Sequence, residues 1–423
     1  MPRYLLILYL CLYLSMIGYG ISLPVIPFFV QELASGVDAN PTDTTFHIGG
    51  ITGIFALFQM LFAPVWGWLS DLTGKRKQVL LIGIGGYAVS LALTGISPGL
   101  TWLYAARALN GLFSAAVLPI AISYIIDVVP EQWKTKGLAW HGTIVGLGVV
   151  SGPAIGSLFS SYANNHPIHF QLINISTFSS VFFLASLLSV ISFVLAGLLL
   201  PAPHRDSSQI SQRNKFVFSG LMQSDEKILK PFILILSVAL SSQLSLSLFE
   251  GTFVLHAQQI ISLTPKELGY IFMVCGLMMA FPQGAFVAGY IEKFGAIKLI
   301  PVGLVIMAGG LSFLMLSKTL SVILINVSIL ALGMAIILPS VTVIVSQYGK
   351  TNSGGLLGLL TGVNSLGQTL GPLIGSFLFV LNVHLPYLMS SLLLLITAGC
   401  VKVSRHSQLR PVKEVSLYNQ ENN

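Results

Sequence analysis

GVVSGPAIGS, at residues 148–157, returns as GQTLGPLIGS at residues 367–376, 219 positions later. Both copies lie in apolar sequence. In a water-soluble helix, each interior Gly costs about 1 kcal/mol and an interior Pro about 3 kcal/mol relative to Ala. Membrane helices tolerate both residues, because neighbouring helices satisfy the freed backbone groups and small residues let helices approach closely. The repeated stretch therefore indicates a membrane protein with an internal duplication.

The composition also indicates a membrane protein. Of the 423 residues, 54% are hydrophobic and only 8% are charged, whereas about a quarter are charged in globular proteins. Apolar runs of roughly 20 residues are long enough to cross a bilayer, and here they form two groups of six. The twelve predicted spans are about residues 4–30, 47–70, 78–96, 100–126, 137–161, 176–200, 231–257, 267–290, 298–317, 320–346, 355–381 and 384–402.

The positive charge of the chain is arranged by side of the membrane. The formal net charge is +7, yet 18 of the 21 Lys and Arg residues fall on one side of the predicted spans. Lys266 and Lys318 fall on the other side, and Arg107 lies within a span. Cytoplasmic loops carry an excess of Lys and Arg, so both termini are expected in the cytoplasm. The basic excess thus reflects topology rather than nucleic-acid binding, and the compact loops favour a bacterial inner membrane.

The two groups of six spans repeat one another. VLPIAISYIIDVVP around Pro119 aligns with ILPSVTVIVSQYGK around Pro339, and GWLSDLTG at residues 67–74 resembles GYIEKFG at 289–295, all at nearly the same offset. Such matches indicate a duplicated six-helix unit. The expected parts are an N-terminal bundle at residues 1–200, a cytoplasmic central loop at 201–230, a C-terminal bundle at 231–403 and a cytoplasmic tail at 404–423.

Two motifs resemble a known family. GWLSDLTGKRK, between spans two and three, resembles the cytoplasmic signature of the major facilitator superfamily. LYAARALNGLFSAA resembles its span-four signature, with Arg107, Asn110 and Gly111 in the key positions. Within the superfamily, the chain resembles the twelve-span drug/proton antiporters that include tetracycline efflux proteins. The resemblance implies the major facilitator fold, an all-α protein of two pseudo-symmetric bundles whose spans one, four, seven and ten line a central cavity.

The first motif implies a cytoplasmic gate. Asp71 lies beside three cations, and Asp127 at the end of span four is available as their partner. Such a charged latch can hold one side shut in one state and part in the other, while small residues permit a close helix approach. The alternative is that the cations only fix topology. The predicted gate residues are Gly67, Asp71, Gly74, Lys75, Arg76 and Asp127.

The first copy of the repeated stretch resembles the antiporter signature of span five. The signature residues are Gly148, Gly152, Pro153 and Gly156. Their presence in span five favours export. The alternative is helix packing without directional meaning, since the second copy in span eleven is inherited by duplication.

One acidic and one basic residue are candidates for proton coupling. Among the 14 acidic residues, only Glu250 lies well inside a predicted span, at the same depth as Arg107. A charge inside a span is costly and normally faces a polar interior, and the resemblance places both residues on the central cavity. We expect Glu250 to carry the proton and Arg107 to tune it or to pair with it when substrate is absent. The alternatives are a Glu250 that reaches interfacial water and an Arg107 that extends to the outer boundary.

The cavity faces implied by the resemblance carry an apolar and aromatic lining with a few hydrogen-bonding groups. Such a lining suits amphipathic organic substrates. The predicted cavity residues are Tyr19, Ser22, Asn110, Ser114, Gln243, Phe249, Asn326 and Met334.

The sequence therefore predicts a monomeric secondary transporter that exports amphipathic organic compounds or drugs in exchange for protons by alternating access. Its expected partners are a small-molecule substrate, protons and the lipid bilayer. An importer, symporter or exporter of a siderophore or metabolite remains an alternative, because the fold alone does not fix function. A non-transporting receptor is a remoter one. Enzyme motifs do not occur in a fitting context, so no catalytic residues, cofactor or metal site are expected.

Overall fold

The computed structural model describes residues 3–35, 40–165, 176–202, 226–348 and 353–407, which are helical with short connections. Most of the predicted central loop and tail, at 203–225 and 408–423, lies outside the described residues. The helices are α1 (Arg3–Ser35), α2 (Pro41–Thr73), α3 (Arg76–Gly95), α4 (Leu100–Val128), α5 (Glu131–Asn165), α6 (Thr177–Leu199), α7 (Glu226–Ile261), α8 (Pro265–Pro282, a π-helical turn at Gln283–Val287, and Ala288–Phe294), α9 (Ala296–Leu314), α10 (Leu320–Tyr348), α11 (Ser353–Leu381) and α12 (Leu385–Ser407).

Eleven helices of the described chain are long and apolar enough to cross a membrane. The twelfth, α8, is divided by its π-helical turn, so its first α-helical part has 18 residues and includes Lys266 and Glu267. The sequence expectation of twelve spans thus agrees with the helices described.

The helices pack into two similar bundles. In the first half, α1 packs against α5 and α6, and α4 packs against α2 and α3. In the second half, α7 packs against α11 and α12, and α9 packs against α10 and α12. The apolar core of the second half is formed by buried residues from Phe232 onward, and two further clusters fill the first half. The main contacts between the halves are those of α2 with α11 and of α5 with α8.

The halves meet at one end of these helices. We call the end where α1 begins the near end, and the end where α1 finishes the far end. Toward the far end, a Cβ at Gly49 of α2 would lie 2.6 Å from the carbonyl oxygen of Pro372 in α11. A Cβ at Gly269 of α8 would lie 2.8 Å from the carbonyl oxygen of Pro153 in α5. The two helix pairs therefore touch backbone to backbone at the far end.

The near halves of the same helices do not touch along their glycine faces. A Cβ at Gly67 of α2, at Gly142 or Gly146 of α5, or at Gly362 of α11 would meet nothing within 4 Å. The described halves are thus in backbone contact at the far end, whereas these four near-end glycines have open space beside them.

Candidate functional site

A cavity lies between the halves and brings together the two charged residues predicted for proton coupling. Its lining comes from α1, α2 and α4 of the first half and from α7 and α11 of the second. The lining residues are Tyr19, Ser22, Leu23, Ile26, Pro27, Thr52, Phe55, Ala56, Arg107, Ser247, Glu250, Gly251 and Gln368.

Arg107 is buried in the wall of this cavity, with 5% of the residue exposed. Its guanidinium carbon lies 4.6 Å from the centroid of the Phe55 ring, within the range of a cation–π interaction. Its Nε atom is buried without a hydrogen-bond partner. The side chain thus faces the cavity instead of extending to the outer boundary.

Glu250 of α7 lines the same cavity from the second half. Among the described residues, Glu250 and Arg107 do not form a salt bridge, and the ion pairs found at the near end both involve Arg76. The predicted pairing of Arg107 with Glu250 is therefore not formed in this structure, because the guanidinium group lies over Phe55 instead.

The space among these side chains is small. It measures about 40 Å³, which holds a few water molecules and is far below the roughly 300–1,000 Å³ of drug-sized ligand pockets. Tyr19 and Ser22 line it as predicted, and the Tyr19 ring lies 5.7 Å from the Phe55 ring. Entry of a drug-sized molecule requires the walls of this cavity to part.

Two predicted cavity residues are instead structural ties. The side-chain amide of Asn110 in α4 donates hydrogen bonds to the Ser90 carbonyl oxygen at 3.1 Å and to Thr94 Oγ1 at 2.9 Å, both in α3. In the second half, the Asn326 amide of α10 donates to the Phe313 carbonyl oxygen and to Ser317 Oγ at 2.8 Å. Each asparagine thus fastens the fourth helix of its half to the third.

The other four predicted residues also lie outside this cavity lining. Ser114 donates to the Gly111 carbonyl oxygen, and Phe249 packs against Phe253 with ring centroids 4.9 Å apart. Met334 is buried in the core of the second half, and Gln243 is buried where α7 meets α11. Of the four implied spans, one, four and seven contribute to the lining of this cavity, and α2 and α11 contribute beside them.

The predicted gate residues form a network around Arg76. This side chain is 4% exposed; its Nε donates to Asp127 Oδ2 at 2.9 Å, and its Nη2 donates to Asp71. It also donates to Ser70 Oγ at 2.8 Å. The network joins α2, α3 and α4 within the first half, and Lys75 is exposed beside it.

The two gate glycines do not make the expected close approach to a neighbouring helix. A Cβ at Gly67 or at Gly74 would meet nothing within 4 Å. Gly74 is instead the left-handed cap of α2, with φ +65°, and its N–H donates to the Ser70 carbonyl oxygen at 3.1 Å. A left-handed residue after a helix is favoured as glycine, and this turn brings Arg76 back toward Asp71.

The repeated glycine-proline stretch makes equivalent contacts in both halves. A Cβ at Gly152 of α5 would lie 2.6 Å from the Cα of Gly20 in α1, and one at Gly371 of α11 would lie 2.8 Å from the backbone nitrogen of Leu248 in α7. Gly148 and Gly156 likewise face Met16 and Ile21 of α1. Pro153 lies inside the same continuous helix. The stretch therefore packs the fifth helix of each half against the first.

Sequence reasoning missed several residues of the site. Phe55, Thr52 and Gln368 line the cavity, yet nothing in their local pattern distinguishes them from packing residues. Gln31 of α1 and Gln258 of α7 are hydrogen-bonded to each other across the halves near the far end. The signal available for this pair was a polar amide directly after each of two predicted apolar spans, 4–30 and 231–257.

Two similar bundles of membrane-length helices around a shared cavity are the arrangement of many secondary transporters. The chain belongs to the Major Facilitator Superfamily, whose family model matches residues 8–291 and, in a second match, residues 235–417. The family and the fold expected from the motifs are thereby confirmed. The protein is a multi-pass membrane transporter.

The chain is similar to bacterial transporters along nearly its whole length. It is 24% identical over 396 residues to the quinolone resistance protein NorA of Staphylococcus aureus (strain MSSA476), covering 92% of this chain and 93% of the relative. It is 24% identical over 396 residues to multidrug resistance protein 2 of Bacillus subtilis (strain 168), covering 93% of this chain and 92% of the relative. A solved bacterial homologue of the human lysosomal transporter Spinster, in an inward-facing and unoccupied conformation, has a TM-score of 0.78 and 14% identity, covering 97% of this chain and 98% of that chain.

Proposed function

We propose that this protein exports amphipathic organic compounds, including drugs, in exchange for protons by alternating access. The observation that carries the proposal is the cavity between the halves, in which Glu250 of one half faces a wall that contains Arg107 of the other. The relatives named for quinolone and multidrug resistance support the substrate class.

Glu250 is the proton carrier in this proposal. When the cavity opens to the far side, Glu250 takes up a proton and the substrate leaves. When it opens to the near side, Glu250 releases the proton and substrate binds again. One proton that moves down the membrane potential supplies about 2.3 kcal/mol per 100 mV, and 1.4 kcal/mol corresponds to tenfold, so one carboxylate supports roughly a forty-fold substrate gradient.

The near end is the cytoplasmic side in this proposal. The distribution of Lys and Arg in the sequence supports that orientation, with both termini in the cytoplasm of a bacterium and the protein in the inner membrane as a monomer. The bundles at residues 1–200 and 231–403 then move as the two halves, and the described conformation faces inward. The Arg76 network acts at the cytoplasmic gate, and the fifth helix with Gly148, Gly152, Pro153 and Gly156 carries the bend of the antiporter signature.

The test is transport of a fluorescent dye into inverted membrane vesicles that are energised by respiration. We expect Glu250→Gln to abolish the proton-driven component, because the amide cannot carry a proton. The matched control is Glu267→Gln, since Glu267 only accepts capping hydrogen bonds from Thr264 at the start of α8, and a glutamine serves in the same capping box. Proton-driven transport that survives Glu250→Gln would overturn the assignment.

The direction of coupling is measured separately. Addition of substrate to the purified protein in weakly buffered solution should release protons if substrate and proton compete, as antiport requires. Proton uptake on substrate addition would instead indicate the symporter alternative.

A further inference from the structure

We propose that the cavity selects zwitterionic aromatic compounds, with the anionic group of the substrate on Arg107 and its cationic group on Glu250. This inference rests on the proposed export function and names the substrate class of the same cavity.

The first support is the condition of Arg107. Its side chain is buried, its Nε has no hydrogen-bond partner, and the described residues supply it with no acidic partner. Its described contact is the cation–π interaction with Phe55, and a buried charge without an oppositely charged partner is strongly unfavourable. The planar guanidinium group presents five N–H donors that match a carboxylate in a bidentate geometry. A carboxylate or similar planar anion on the substrate would therefore supply what the protein lacks at this position.

The second support is the condition of Glu250. It lines the same cavity but forms no ion pair with Arg107. If the two side chains were paired with each other, a charged ligand would have to break that buried ion pair before it could bind either of them. Because they remain apart, a ligand with only one charge satisfies one wall and leaves the other unpaired, while a zwitterion satisfies both.

The third support is the aromatic surface beside these charges. Phe55 lies under the Arg107 guanidinium group, and the Tyr19 ring lies 5.7 Å from the Phe55 ring. Aromatic side chains give a large apolar contact area with defined geometry. A flat aromatic body between the two charged groups of the substrate fits this surface.

Three xanthene dyes of nearly equal size test the proposal. Rhodamine 110 carries a carboxylate and a cationic ring system, rhodamine 123 is its methyl ester and keeps only the cation, and fluorescein carries only negative charge at pH 7.5. Binding to the purified full-length protein is measured by fluorescence polarisation. We expect rhodamine 110 to bind about 10- to 100-fold more tightly than either of the other dyes, the range of a hydrogen bond to a charged group.

Single-residue variants test the contributions of Arg107 and Glu250 to binding one at a time. Arg107→Met is expected to lower the affinity for rhodamine 110 by the same factor of about 10 to 100, while the affinity for rhodamine 123 stays the same or rises. Glu250→Gln is expected to lower the affinity for both rhodamines and to leave the affinity for fluorescein unchanged. Lys318→Met removes an exposed positive charge outside the cavity and is the matched control. Arg107→Lys, which keeps the charge but not the planar fork, is expected to recover only part of the rhodamine 110 affinity.

The outcomes are distinguishable from those of the export test. Equal or tighter binding of rhodamine 123 than of rhodamine 110 by the wild-type protein overturns the inference without any variant, so a misfolded Arg107→Met does not leave it undecided. If a folded Arg107→Met variant loses affinity equally for both rhodamines, the inference is also overturned. Absence of proton-driven transport of every dye, with rhodamine 110 still bound most tightly, refutes export and leaves the inference standing.

Discussion

Gln31 of α1 and Gln258 of α7 exchange hydrogen bonds across the two halves of the protein. The Nε2 of Gln31 donates to Gln258 Oε1 at 2.7 Å, and the Nε2 of Gln258 donates to Gln31 Oε1 at 3.3 Å. The pair joins the first helix of one half to the first helix of the other near the closed far end. For the far end to open, this pair has to separate.

The first prediction is that tying these two positions together stops transport. A double variant, Gln31→Cys with Gln258→Cys, is treated with a short reducible bifunctional thiol reagent, and dye transport in vesicles is measured. We expect transport to stop and to return on reduction. Cys400 is exposed, whereas Cys11 and Cys275 are buried, so Cys400→Ser removes the accessible native thiol. Each single cysteine variant is a control, and cross-linked protein that transports at the untreated rate would contradict the prediction.

The second prediction compares how much the two carboxylates bonded to Arg76 contribute to the stability of the protein. The Asp127 side chain is 10% exposed, whereas that of Asp71 is 60% exposed. Removal of one partner from a buried ion pair costs about 3–5 kcal/mol, while an exposed pair contributes about 1 kcal/mol or less. We therefore expect Asp127→Asn to lower the thermal unfolding temperature of the purified protein clearly more than Asp71→Asn. Equal losses would mean that exposure does not govern this network.

The third prediction uses matched glycines on α5. Gly152→Ala puts a methyl group against the backbone of Gly20, and overpacking of this kind costs about 1–3 kcal/mol. Gly146→Ala meets nothing within 4 Å and gains helix propensity. The unfolding temperature should fall for Gly152→Ala and hold or rise for Gly146→Ala.

The duplication extends that prediction to the second half. Gly371→Ala meets the backbone of Leu248, whereas Gly362→Ala on the same helix meets nothing within 4 Å. The same contrast in unfolding temperature is expected between these two variants. A tolerated Gly371→Ala would show that the repeated contacts are not equivalent.

The fourth prediction separates cavity residues from structural ties. Asn110→Ala removes hydrogen bonds from α4 to α3 but does not change the cavity lining, so we expect a lower unfolding temperature with unchanged dye affinity. Phe55→Ala removes the ring beside Arg107 and is expected to weaken dye binding. If Asn110→Ala lowers dye affinity without lowering stability, Asn110 is a binding residue and not a structural tie.

The sequence was sufficient for the fold because bilayer thickness fixes span length and the duplication fixes the grouping. A charge within a span has few places to lie, and the family resemblance implied that Arg107 and Glu250 face the central cavity, where both line the wall in this structure. Neutral residues carry no such constraint. The amides of Asn110 and Asn326 are satisfied by carbonyl and hydroxyl oxygens of the neighbouring helix, so their polarity did not reveal which way they face.

In the gate motif, too, the sequence indicated the contacts of charged residues but not those of neutral ones. The partners of Arg76 were predictable from charge, but the function of Gly74 was not, because a glycine serves equally as a close contact or as a left-handed cap. The backbone dihedral of +65° decides between them. Cross-half contacts such as Gln31 with Gln258 depend on how far the halves are rotated, which no local pattern encodes.

Arg107 is anchored in the first half and Glu250 in the second, so the gap between these two charges changes whenever the halves rotate. The distance between opposite charges within a bound compound then has to match the gap between Arg107 and Glu250. If the cavity selects zwitterions as proposed, we expect a short or flexible zwitterion to follow the gap as it narrows and to be carried across. We expect a long, rigid one to keep the walls apart and to stay bound, so that the two side chains proposed to select a substrate would also specify the geometry of an inhibitor.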